Sequence, residues 1–162
     1  MSYPSDPGFS HRPTPPPYGG PPPGIQLAHW GLRVVATLID VIPAWILVTI
    51  GVIVDGPETR ADGTTTGMGG IYVTCLLVGT AWVLYMSYLT GRRGQSIGKR
   101  VINIKVVRES DGQVIGGGLG IARYFIHIVD ALPCGLGYLW PLWDSKRQTF
   151  TDKIMGTLAI KV

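Results

Sequence analysis

The chain has 162 residues, room for one domain, and a formal net charge of +4. Only 15% of the residues are charged, against roughly a quarter in an ordinary soluble domain. Yet 46% are apolar and the mean hydropathy is +0.27, even with 23 Gly and 13 Pro. One homogeneous soluble fold is excluded, because the apolar residues must be concentrated in particular segments. Two cysteines, Cys75 and Cys134, exclude a disulfide scaffold and a four-cysteine zinc site.

Residues 1–27 are predicted to be a disordered Pro/Gly-rich tail. Nine of the 13 prolines fall there, and almost no aliphatic side chain is available to offset the entropy of ordering. It lacks the basic start, apolar middle and cleavage site of a secretory signal. The domain proper is predicted over residues 28–162.

The first helix is expected at about 31–54. Val34 to Val54 carries one charge, Asp40, and is long enough to cross a hydrocarbon core of about 30 Å. The second is expected at about 70–90, where Ile71 to Leu89 has no charge, with Tyr72 and Tyr88 near its ends. The third apolar region, about 118–143, contains Arg123, His127 and Asp130, and its uncharged half is broken by Pro133, Gly135, Gly137 and Pro141. That half has the length of a re-entrant or interfacial segment. Strands are expected at about 101–107, where β-branched residues dominate, at 113–115 after the Ser110-Asp111-Gly112 turn signal, and at 157–162. The fold class is therefore an α-helical integral membrane protein: two transmembrane helices, a third re-entrant or membrane-crossing helical region, and a small cytoplasmic β-sheet.

Charge sets the expected orientation. The link 55–70 carries Asp55, Glu58 and Asp62 against Arg60, whereas Arg92, Arg93, Lys99, Arg100, Lys105 and Arg108 follow the second helix without an acid. By the positive-inside rule the basic stretch and the N-terminus are cytoplasmic. Lys146, Arg147, Lys153 and Lys161 favour a cytoplasmic C-terminus too.

Charges within apolar segments are the candidate functional residues, since one near a helix centre costs roughly 2.5–3.5 kcal/mol and needs a partner. Arg33 is expected to snorkel to the headgroups. Asp40 lies deeper, and Arg33 leans away from it, so its partner must come from elsewhere in the chain or from another subunit. Arg33, Asp40 and Pro43 are echoed ninety residues later by Arg123, Asp130 and Pro133, with His127 standing where the first copy has Thr37. Such an echo suggests parallel repeats around a central site. Two outcomes follow: Asp40 and Asp130 share a site with His127 and bind a cation or proton, or each Asp pairs with the other copy's Arg.

Other motifs fail on spacing. Gly94 to Arg100 lacks the first glycine and the Ser/Thr of a phosphate loop. The three histidines show no metal-ligand spacing. No nucleophile elbow and no basic strip with stacking aromatics is present. Arg92, Arg93, Lys99 and Arg100 read as a topology signal and lipid-headgroup contact.

Several of these pieces occur in an order that resembles the RDD family of small bacterial membrane proteins, named for one arginine and two aspartates. They are Gly31-Leu32-Arg33 with Leu38-Ile39-Asp40; Gly94 to Arg100; Asp111-Gly112; Arg123-Tyr124; Gly137 to Trp140 with Trp143-Asp144; and Arg147 to Lys153 with Gly156-Thr157. The resemblance covers about residues 28 to 162, and the Pro-rich leader is similar to that of actinobacterial members. It implies that Arg33 and Asp40 are the family's arginine and first aspartate. Asp152 is the best match for the second, with Asp130 a rival. It also implies a bacterial plasma-membrane location. Two or three spans in one copy enclose no pathway, so the expected role is an accessory or scaffold subunit of a larger membrane complex. The alternative is a small oligomeric transporter of a cation or proton. No catalytic residue, cofactor or resident metal is expected, and the expected partners are the lipid bilayer and a membrane protein or second copy, not nucleic acid.

Overall fold

Helix α1 runs from Trp30 to Asp55 and α2 from Gly70 to Arg93 in the computed structural model, which describes residues 24–162. At 1.5 Å per residue, their 26 and 24 residues are long enough to cross a bilayer core. His29 caps α1 by accepting the Gly31 N–H at 3.2 Å on Nδ1, and the Asp55 carboxylate accepts the Ile71 N–H at the start of α2. Large apolar side chains point outward, among them Leu38, Ile42, Trp45 and Ile46 on α1 and Leu77 and Val78 on α2. Between the helices the residues are small. A Cβ added to Gly51 would lie 2.8 Å from that of Cys75, so the two backbones approach closely, as small-residue helix contacts in apolar surroundings allow.

The expected tail falls outside the described residues up to residue 23. Gln26 to Ala28 already belong to the packed chain: the Gln26 carbonyl accepts from the Lys161 N–H, Leu27 bridges Ile160, and Ala28 is fully buried. Packing therefore starts slightly before the expected boundary at 28.

After α2, Gly94 turns the chain in the left-handed region at φ 78°. A short helix α3, Ile97–Val101, follows, and then strand β1, Ile104–Arg108. The strand expected at 101–107 thus starts later, because Ser96 caps a helical turn that takes up Val101. The expected strand at 113–115 does not form; the Arg108 N–H to Gln113 carbonyl bond marks only a turn. The expected small sheet does form from the other two segments: β1 pairs antiparallel with β2, Thr157–Lys161, with Ile104 opposite Lys161 and Arg108 opposite Thr157. Ala28, Ala36, Ile104 and Ala159 form a small core where the sheet meets the start of α1.

The third apolar region is not one straight helix. It comprises α4 (Gly117–Ile126), α5 (Ile128–Ala131), α6 (Leu136–Leu139) and a 3-10 turn (Trp140–Leu142), with a bend of 105°. Pro43 is accommodated inside α1. Pro133, by contrast, follows the end of α5 and is itself followed by two left-handed residues, Cys134 and Gly135. That sequence explains the bend, since proline disfavours continued helix and the two φ values reverse the chain. Helix α4 crosses α2 at paired glycines: a Cβ on either Gly91 or Gly120 would sit 2.7 Å from the other's Cα. Helix α7, Phe150–Met155, leads through left-handed Gly156 into β2.

The structure contains a second repeat, from Gly94–Arg108 to Arg147–Lys161. Gly94 and Arg147 are both left-handed, as are Asn103 and Gly156 just before the strands. Gln95 donates its side-chain N–H to the Ile104 carbonyl, and Gln148 does the same to Thr157, at 2.9 and 3.0 Å. Ser96 caps α3 and Thr149 caps α7. The two units exchange backbone bonds reciprocally, Glu109 N–H to Gly156 and Val162 N–H to Asn103. Joined to the Arg-Asp-Pro echo, this makes each half of the domain a helical hairpin followed by a short capped helix and a strand.

Candidate functional site

The charged residues gather where α1, α4 and α7 meet the sheet. A capping box builds the centre: Thr149 Oγ1 accepts the Asp152 N–H at 3.1 Å, and Asp152 Oδ2 accepts the Thr149 N–H at 3.1 Å. Locked in that way, the fully buried Asp152 carboxylate receives Arg33 Nη2 at 2.5 Å, Arg123 Nη2, and the Thr157 hydroxyl at 3.1 Å. Arg123 also donates to Thr157 Oγ1 at 2.5 Å, and Arg33 to the Arg147 carbonyl at 2.7 Å. Burial pushes the Asp152 carboxyl up, but Arg123 and then Arg33 outweigh it and hold the group well below the usual carboxylate range.

Asp40, buried in α1, meets the start of α3. Its Oδ1 accepts the Gly98 N–H at 2.7 Å and its Oδ2 accepts the Ser96 hydroxyl. Lys99 Nζ lies 3.7 Å from Oδ2 and 3.3 Å from Ser96 Oγ. Only glycine fits at 98, because a Cβ there would run into the Ala36 carbonyl oxygen. Burial pushes the Lys99 ammonium down to about 8, with Asp40 opposing.

Asp130 repeats this arrangement in the second half. Its Oδ1 accepts the Thr151 N–H at 3.2 Å, and its Oδ2 lies 2.6 Å from His127 Nδ1. The His127 ring stacks on Tyr138, whose hydroxyl donates to the His127 carbonyl at 3.0 Å. Gly98 and Thr151 both stand two residues after the Ser or Thr cap of a short helix, so each repeat Asp accepts an otherwise orphan first-turn N–H.

The partner for Asp40 comes from elsewhere in the chain, as expected, but the other expected pairings do not form. Arg33 does not snorkel outward, since the buried Asp152 carboxylate holds it. The crossed pairs Asp40–Arg123 and Asp130–Arg33 are replaced by convergence of both arginines on Asp152. Nor do Asp40 and Asp130 share a partner; each has its own short helix and its own base. Among the basic residues, Lys99 joins Asp40, Arg92 donates to the Tyr88 hydroxyl at 3.2 Å, and Arg93 and Arg100 are exposed and line a groove between α2 and α3.

Sequence reasoning gave Gln95, Ser96, Gly98, Gln148, Thr149, Thr151 and Thr157 no role of their own, although all lie in the segments that carry the family resemblance. The Thr149-x-x-Asp152 capping box was a readable signal, and Gln-Ser at 95–96 against Gln-Thr at 148–149 hinted at the second repeat. Chemically, the arrangement is a set of charge-assisted staples between helices and sheet. No group of three His, Cys, Asp or Glu stands ready to hold a metal ion among the described residues.

Fold and site together define a small helical protein with two helices apolar enough to cross a membrane and a buried Arg–Asp–Arg hub. The chain belongs to the RDD family of membrane proteins, whose sequence model matches residues 27–156. It is 38% identical over 150 residues to the proline-rich antigen of Mycobacterium leprae, covering 82% of this chain and 60% of that one. It is 37% identical over 150 residues to the proline-rich antigen homolog of Mycobacterium tuberculosis, covering 82% and 62%. The chain therefore spans about 60% of the length of these mycobacterial relatives. Similarity to the uncharacterized protein YxaI of Bacillus subtilis is 32% over 75 residues, 46% of this chain and 49% of that one. No solved structure matches.

Proposed function

We propose that this RDD-family membrane protein is a non-catalytic accessory or scaffold subunit of a larger plasma-membrane assembly, with both termini cytoplasmic. The observation that carries the reading is the commitment of the buried charges. Arg33, Arg123 and Asp152 bind one another, Asp40 binds Ser96, Gly98 and Lys99, and Asp130 binds His127 and Thr151. Charges tied up in this way rigidify a fold, while the apolar outer faces of α1 and α2 are left for lipid or a partner helix. The basic stretch after α2 supports the orientation through the positive-inside rule. Purification from native membranes in mild detergent tests it: a stoichiometric membrane-protein partner is expected, and a chain that purifies alone refutes the subunit reading.

One observation favours the second reading, an oligomeric cation or proton transporter. The Asp40–Ser96–Lys99 cluster contains an ammonium that burial brings down to about 8, within reach of physiological protonation. Flux in proteoliposomes that the Asp40→Asn variant abolishes establishes this reading; wild-type chain giving no flux over a range of pH and cations removes it.

A further inference from the structure

Arg93 and Arg100 face a groove of about 270 Å³ lined also by Leu89, Gln95, Ser96 and Ile97. Neither guanidinium has a hydrogen-bond or ion-pair partner among the described residues. The second repeat shows what such a pair does when an anion is supplied. Counting from Gln95 to Gln148, the counterparts of Arg93 and Arg100 are Lys146 and Lys153. Lys146 Nζ lies 2.6 Å from Glu109 Oε1, and Gln148, the counterpart of Gln95, donates to Glu109 Oε2 at 2.9 Å. Lys153 Nζ lies 2.6 Å from Asp144 Oδ1. In that half, two carboxylates of the chain itself fill the basic site.

The first half cannot do the same. The counterpart of Asp144 is Gly91, which must stay glycine at the crossing with Gly120, and the counterpart of Glu109 is Val162. The groove therefore keeps the basic pair and the glutamine amide of the filled site but has no acidic side chain at either counterpart position. Its surroundings say what kind of anion fits. Exposed Ile97 and Val101 stand one helical turn apart on α3 beside the groove, offering apolar surface next to the two guanidiniums. A small aqueous anion would have no use for that surface. A phosphate with acyl chains uses both, and arginine's planar fork suits phosphate oxygens.

We infer that the groove between α2 and α3 is a binding site for the headgroup phosphate of an anionic phospholipid, held by Arg93 and Arg100 with its acyl chains along Leu89, Ile97 and Val101. The inference rests on the membrane reading above, which has its own readout: a chain released from membranes by alkaline carbonate fails that reading, whereas loss of lipid preference alone fails this one.

Native mass spectrometry of the detergent-solubilised full chain tests the site, with phosphatidylglycerol, phosphatidylcholine and inorganic phosphate as separate titrants. Wild type should retain one phosphatidylglycerol in preference to phosphatidylcholine. Retention should weaken about ten-fold in R93Q/R100Q and stay unchanged in R92Q, which removes a neighbouring charge outside the groove. Val162→Glu supplies the counterpart of the Glu109 side chain with both arginines intact, and it too should lower retention. Equal retention of the two lipids by wild type overturns the proposal, as does an R93Q/R100Q variant that binds like wild type. Displacement of the lipid by inorganic phosphate at matched concentration overturns the lipid assignment in favour of a free anion.

Discussion

Asp152→Asn should be the most damaging single isosteric change in the domain. It keeps the shape and part of the capping bond but leaves Arg123, only 6% exposed, and Arg33 facing each other without a counter-charge. Removing one member of a buried ion pair costs roughly 3–5 kcal/mol, because the remaining charge stays desolvated. Since amide oxygens still accept hydrogen bonds, the lower end, about 3 kcal/mol, is expected here. Against a total stability on the order of 5–15 kcal/mol, that lowers the melting temperature by about 10 °C. The assay is thermal unfolding in detergent, followed by near-ultraviolet circular dichroism. The double variant Asp152→Asn/Arg123→Met should be less damaged than the two single losses added together, because the stranded arginine is gone. The sign with pH is also fixed. Asp152 has its pKa depressed in the folded state, so its contribution is fully present above the unfolded value near 4 and is lost as pH falls through the folded one. The gap between wild type and variant should therefore be flat from about pH 5 to 8 and close only in acid. A variant melting within about 2 °C of wild type at neutral pH would sink the claim that the hub holds the domain together.

Lys99 gives the same sign of pH dependence in an alkaline window, for a different reason: burial disfavours its charged form, whereas the charged form of Asp152 is the one favoured. Its folded value of about 8 lies below the ordinary lysine value of 10.5, so the unfolded chain binds more protons between the two and stability should rise as pH rises through that window. The gain is at most about 3 kcal/mol; Lys99→Met should flatten the rise, and an unchanged slope in the variant assigns it to another group. Gly98→Ala should destabilise the domain by about 1–3 kcal/mol by forcing α3 away from Ala36 and Asp40. A melting curve indistinguishable from wild type shows that the contact is looser than the structure has it.

Arg33 and Asp40 were legible as outliers because charge is rare in apolar runs, whatever they turn out to touch. Their partners were not legible. Asp152 lies far along the chain from Arg33 in a polar segment, where the family resemblance marks it but nothing local pairs it with Arg33, and the antiparallel pairing of β1 with β2 helps bring it beneath α1 and α4. The expected strand at 113–115 failed for the same reason. A local turn signal favoured a hairpin, but the edge of β1 that it would use is taken by the preceding segment. The Val106 N–H is bonded to the Gly94 carbonyl and the Gln95 side chain to the Ile104 carbonyl, while β2 takes the other edge. Likewise, the echo of Arg33-Asp40-Pro43 in Arg123-Asp130-Pro133 suggested a shared site, whereas each aspartate is used on a separate short-helix N–H.

By itself, the sequence determined the two long apolar helices, the broken third region, the basic segment after α2 and the identity of the odd charges. Those follow from local quantities: run length, charge density, and the placement of proline and glycine. Tertiary structure alone decided that two arginines share one aspartate, that the sheet joins the ends of two repeated units, and that Arg93 and Arg100 have no acidic partner among the described residues where Lys146 and Lys153 are paired. Such pairings depend on which distant segments can desolvate together. A buried charge demands a partner, but local pattern says nothing about which residue the fold will bring to it.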